Sequence, residues 1–201
     1  MQRLRDRSGR GISRRVPRRS GRHRNEHQGA LRPGENLLCN SRLYVARQRF
    51  GHQHTTERKI LHNNIVSNHW LANMVLPEMA QRKDGAVIIV SSIGGLKGSG
   101  VLGAYAISKA ADMQLARNLA IEWGPDNVRI NCIAPGLIRT DFARALWENP
   151  EVLGHYEKQT PLRRIGEPED IGGIAVLLAS RAGAFITGQT IVADGGVTIA
   201  G

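Results

Sequence analysis

Hydrophobic positions are distributed unevenly along the chain. Through the first 60 residues they show neither a sustained helical period nor strand alternation, and RDRSGRGISRRVPRRSGRHR has almost none at all. Such a stretch buries too little apolar surface to offset the entropy lost on ordering it. From about Glu57 the texture changes. SNHWLANMVLPEMAQR reads as an apolar helix that Pro77 bends or ends locally. AVIIVSS (86–92) is a continuous β-branched run, as expected of a strand buried on both faces. AYAISKAADMQLARNLAIEW then reads as a helix closed by Gly124-Pro125. VRINCIA (128–134) is a second buried strand, ending at Pro135-Gly136.

PEDIGGIAVLLAS follows, with Pro168 at the first helical position and Glu169 and Asp170 in the first turn, where the helix dipole favours carboxylates. TIVADGG (190–196) supplies a third strand with a glycine turn. Strand, helix, strand, helix, strand at this spacing predicts parallel βαβ units with right-handed crossovers. The expected fold class is α/β, a doubly wound parallel sheet.

Charge sharpens the division into two segments. The net charge is +11, yet residues 1–60 hold fifteen Arg and one Lys against four acids, a balance of +12, and the remainder balances at −1. An arginine-rich arm that binds RNA or another polyanion is one reading of residues 1–56, although no aromatic platforms accompany the charge. A mitochondrial transit peptide is another, against which stand Asp6 and the missing apolar face. His52 and His54 form a metal-like pair with no third ligand nearby, so no metal is expected. No apolar run approaches a membrane span, and no secretory signal is visible. Cys39 and Cys132 stand far apart and outside any CxxC spacing. A soluble protein of the reducing cytoplasm is expected.

Candidate chemistry lies where strands end. In open parallel sheets, ligands bind beyond the carboxyl ends of the strands. The first strand delivers Ser91 and Ser92 there, and the second delivers residues 135–140. Tyr105 and Lys109, four apart on a helix, share one face. Taken singly, each has a plain structural reading: a turn serine, an interface aromatic, a solvated lysine, and for Asn64, beside Asn63, a cap. Together Ser92, Tyr105 and Lys109 form S-x12-Y-x3-K, accompanied by N-x-x-S at 64–67, PG-x-I-x-T at 135–140 and DGG at 194–196. In that ordered combination, residues 57–201 resemble the short-chain dehydrogenase/reductase family.

The resemblance implies a Rossmann-like domain and an NAD(P)-dependent oxidoreductase interconverting a secondary alcohol and a ketone. A free phenol, with a pKa of about 10, is a poor base at neutral pH. By the family pattern Lys109 draws down the Tyr105 pKa and holds the nicotinamide ribose, so that Tyr105 serves as acid and base. Ser92 would steady the substrate oxygen, and Asn64 would complete a proton relay through water. Pro135, Gly136, Ile138 and Thr140 would line the nicotinamide side. Ile93, Gly94 and Leu102 suggest an apolar approach for the substrate, a 3-oxoacyl thioester being one candidate. Phe142, Leu146, Trp147, Leu153 and Tyr156 fall at helical spacings that suit a lid over the site or a packed helical excursion. Helices 64–82 and 105–123 are apolar around most of their circumference, which predicts a homodimer or homotetramer.

One family element is missing. No strand, T-G-x-x-x-G-x-G, helix precedes residue 57, and SGRGIS (8–13) has neither flanking element. The residue that would discriminate NAD from NADP is absent too. Residues 1–56 are therefore expected to be disordered, or an out-of-frame or mis-started translation joined to a dehydrogenase portion. The sheet would be incomplete at its N-terminal half. Reading the encoding nucleotides in the other frames tests this. A non-catalytic remnant that keeps the catalytic residues but binds no cofactor stays open beside the enzyme reading.

Overall fold

The computed structural model describes residues 37–39 and 54–200. The chain divides into a unit of residues 1–30, outside the described residues, and a unit of residues 31–201, which holds every element named below. The expectations for the Arg-rich arm and for His52 fall outside the described residues.

Four parallel strands form one sheet in the order β1 (Leu37–Cys39), β2 (Gly85–Val90), β3 (Val128–Pro135) and β4 (Thr190–Ala193). β2 and β3 are the two apolar runs expected as buried strands. Pairing runs from Gly85 with Val128 to Val90 with Ile133. β2 ends two residues earlier than its apolar run suggested, which leaves Ser91 and Ser92 beyond the strand. β1, in register with residues 87–89, was not readable from its three residues.

Alternate strand residues face opposite layers, as the period of two requires. On one face Val87, Ile89, Val128, Ile130 and Cys132 pack against α2 (Ser67–Arg82) and α3 (Gly103–Trp123), through Leu76, Met79, Met113 and Leu119. On the other face Ile88 and Ile133 meet Leu178 of α6 (Pro168–Ala179). This is the doubly wound arrangement. Arg129 on β3 ties the second face down, its guanidinium donating to the carbonyls of Leu178 at the end of α6 and Gly183 in the 3-10 turn that follows.

The helix expected over 64–82 is longer and less regular. It begins as α1 (His54–Leu61), widens to a π-helical turn at His62–Val66 and continues as α2. Pro77 does not end it. The helix runs on to Arg82 because Leu76 and Met79, on either side of the proline, are both fully buried on the sheet. Between β3 and α6 the chain makes the helical excursion anticipated from its apolar spacing, with α4 (Arg144–Trp147) and α5 (Pro150–Gln159). No helix among the described residues is long and apolar enough to cross a membrane.

Candidate active site

Beyond β2 the chain stays extended at Ser92, whose hydroxyl accepts from the Gly94 amide at 3.0 Å and caps a short 3-10 turn, Ile93–Gly95. That turn lies directly on α3. A Cβ on Gly95 would stand 2.6 Å from the backbone of Lys109 and Ala110, so only glycine permits this approach. Gly94 sits between the candidate groups. A Cβ there would lie 3.4 Å from Ser92 Oγ, 3.6 Å from the Tyr105 ring and 3.0 Å from Leu102. Ser92, Gly94, Leu102 and Tyr105 therefore form one cluster, with Ile93 in the same turn. Ser91 points the other way, its hydroxyl donating to the Lys109 carbonyl at 2.6 Å.

Tyr105 is almost fully buried and packs with Ile60, Leu102 and Ala104. One helical turn on, Lys109 is 2% exposed. Its ammonium lies 5.9 Å from the Tyr105 ring centroid and donates to the Val90 carbonyl at 3.0 Å and to Asp112 Oδ2 at 3.2 Å. Burial pushes the Asp112 carboxyl up, against the attraction of Lys109 and the hydrogen bonds from Asn68 and Lys109. Asn64, in the π-helical turn, is buried and donates to Ser108 Oγ at 2.9 Å, and Ser108 donates to the Tyr105 carbonyl at 2.7 Å. A π-helical turn shifts the side chains that follow it and recurs at functional sites. Here it faces Asn64 toward α3.

The second predicted set lies where β3 ends. Pro135 pairs with Ala193, and the Gly136 amide donates to the Ala193 carbonyl at 2.9 Å. A Cβ on Gly136 would stand 2.9 Å from the Asp194 backbone, so the DGG turn and the PG turn touch. Ile138 bridges to Gly166, which closes the base of the helical excursion. Thr140 is partly buried, and its carbonyl accepts from the Trp147 indole at 2.9 Å. Arg139 stacks on the Trp147 ring at 5.3 Å and donates to Glu167 at 2.9 Å, holding both ends of the excursion. A cavity of about 180 Å³ opens behind this turn, lined by Leu137, Ile138, Tyr156, Thr160 and Gly195 among others. Ser92, Tyr105 and Lys109 do not line it. Among the described residues no cluster of His, Cys, Asp and Glu could hold a metal ion.

Sequence reasoning missed Asn68, Ser108 and Asp112. Their signal is a second polar stripe: Asn64 and Asn68 on one helix, Ser108 and Asp112 on the next, each pair four residues apart within apolar surroundings.

A family model described as enoyl-(acyl carrier protein) reductase matches residues 46–198. Dehydrogenase/reductase SDR family member 4 of Bos taurus is 45% identical over 138 residues, covering 69% of this chain and 50% of that protein. The Homo sapiens protein of the same name is 43% identical with the same coverage. The chain thus spans about half the length of these curated relatives. Among solved structures, a gluconate 5-dehydrogenase from Burkholderia cenocepacia in complex with NADP and tartrate superposes with a TM-score of 0.80 at 26% identity, over 83% of this chain and 66% of that one. With this match of sequence and architecture over three-quarters of its length, the chain belongs to the short-chain dehydrogenase/reductase family.

Proposed function

We propose that the cluster of Ser92, Tyr105 and Lys109 carries an alcohol–ketone oxidoreduction dependent on NAD or NADP. The observation that supports it is the stacking of the Tyr105 phenol and the Lys109 ammonium on one buried helix face beside Ser92. Tyr105 takes the proton from an alcohol or gives one to a carbonyl oxygen. Ser92 donates a hydrogen bond to that oxygen and stabilises the charge developing there. The Lys109 ammonium favours the phenolate, and burial strengthens its field. Asn64 steadies the start of α3 through Ser108.

A bound nicotinamide supplies or accepts the hydride. The donor set suits its ribose end, because the phenol and the ammonium lie one turn apart at the carboxyl rim of the strands. Tyr105, Lys109, Ile138 and Thr140 are the residues that would hold it, beside Pro135 and Gly136. Ile93, Gly94 and Leu102 present an apolar face to the substrate. Trp70, Leu71 and Met74 on α2 and Ile107 and Ile121 on α3 remain exposed. These helices pair two copies of the chain, which light scattering on the purified protein would test.

Fluorescence titration with NADH and then NADPH, followed by turnover of a panel of ketones, tests the enzyme reading. Saturable binding of one cofactor and measurable reduction are expected. Tyr105→Phe should lower kcat by more than about a hundredfold while leaving cofactor affinity nearly intact. Folded protein that binds neither cofactor would leave the non-catalytic remnant standing instead.

A further inference from the structure

Among the described residues, Lys109 and Asp112 are the two charged side chains that are buried. The family motif accounts for the lysine. It says nothing of a carboxylate three residues further on, 0% exposed and directed at the same ammonium.

The hydrogen bonds around Asp112 form a line. Its Oδ2 accepts from Lys109, and its Oδ1 accepts from Asn68 Nδ2 at 2.9 Å. Asn68 Nδ2 also donates to the Asn64 carbonyl at 2.8 Å, so both of its amide hydrogens are engaged. With each carboxylate oxygen held from a different helix, Asp112 has one orientation, and so has the ammonium that it faces. The ladder has two rungs, Asn64 to Ser108 and Asn68 to Asp112, each spanning 44 residues of sequence and one helical turn apart. It joins the π-helical turn and α2 to the catalytic helix through polar groups in an otherwise apolar interface.

We propose that Asp112, oriented by Asn68, is a positioning residue that keeps the Lys109 ammonium charged inside the protein and directed beneath Tyr105. This rests on the reading of Tyr105 and Lys109 as an acid–base pair. An ammonium at this depth without a counter-ion is costly, and the ordinary escape is loss of its proton. A neutral amine no longer favours the phenolate. Asp112 therefore acts on Tyr105 through Lys109, and the sign of its effect is opposite to that of direct repulsion.

The other groups packed against this pair do not confuse the sign. β2 contributes the Val90 carbonyl and the residue after it the Ser91 hydroxyl, α2 and the turn before it contribute the uncharged Asn64 and Asn68, and α1 contributes Ile60. On β3 the Cys132 thiol is pushed up to about 12, chiefly by burial, above the ordinary range of a phenol.

Ultraviolet difference titration of phenolate in the full chain tests the proposal. The chain has three tyrosines, so subtracting the Tyr105→Phe curve isolates Tyr105. In Asp112→Asn the Tyr105 midpoint should move to higher pH by about one unit, a tenfold change in its ionisation constant. An unchanged midpoint, or a move to lower pH as simple removal of a negative charge would give, overturns the proposal. If Asp112→Asn does not fold, Asn68→Ala is titrated instead. It leaves both charges and removes one hydrogen bond to Asp112. A smaller upward move is expected, and none overturns the proposal. Because this readout needs neither cofactor nor turnover, a chain that fails to bind NADH would sink the enzyme reading while the titration still decides the role of Asp112.

Discussion

Two ion pairs in this chain are both in direct contact and behave oppositely. Lys109 reaches Asp112 at 3.2 Å with both side chains almost wholly buried, and Arg164 reaches Asp170 at 2.6 Å with side-chain exposures of 51% and 38%. Burial raises the Asp112 carboxyl despite its cationic neighbour. The Arg164 guanidinium, together with the Glu167 amide, holds Asp170 well below the usual carboxylate range. Asp170 forms part of a capping box at the start of α6 and faces water, so its hydrogen bonds act almost unopposed. Contact with a cation alone therefore does not say what a carboxylate does. The solvent that it has lost decides between the two.

The largest effect expected concerns the buried pair. Asp112→Ala takes the buried carboxylate away from an interior ammonium, and such a break costs about 3–5 kcal/mol. Replacing both charges, as Lys109→Met with Asp112→Leu, should recover most of that loss, since neither charge then remains to be desolvated. Urea unfolding of Lys109→Met, Asp112→Leu and the double variant measures it. Additive losses would show that the two charges are not coupled.

An intermediate effect is expected at the contact that brings the Ser92 turn onto α3. Gly95→Ala places a methyl group against backbone at 2.6 Å, and overpacking of this kind costs about 1–3 kcal/mol. Because the turn must lift from Lys109, turnover should fall along with the unfolding midpoint. A fully active and equally stable variant would show that the turn is free to move.

The exposed pair should give the smallest effect and the clearest dependence on pH. A depressed folded-state carboxyl contributes stability above its unfolded pKa of about 3.9 and loses it as pH falls below that value. Asp170→Asn should therefore lower the thermal midpoint at neutral pH, and the gap to the wild type should close on acidification and narrow with salt. The raised Asp112 carboxyl has the opposite sign, its contribution being present at low pH and lost as pH rises through the folded value. A gap at position 170 that persists in strong acid would rule out charge as its cause.

Much of this was readable before any fold was known. β2 and β3 announce themselves because strands covered on both faces need apolar residues at every position, and residues 86–90 and 128–134 comply almost throughout. Pro168 with two acids marks the start of α6 for local reasons. Tyr105 and Lys109 share a face because four residues make about one turn, whatever surrounds them. β1 was not readable, since three residues carry no period and pair only because β2 offers an edge. Pro77 misled for the converse reason: a local rule against proline in a helix gave way to the burial of Leu76 and Met79.

The same division runs through the site. Ser92, Tyr105, Lys109 and Asn64 were named through the family pattern that they match in order, each belonging to a short motif along the chain. The meeting of Asn68 with Asp112 was invisible there. Its partners stand 44 residues apart, and their significance comes from the absence of water around them, which is a property of the packed helices and not of either residue.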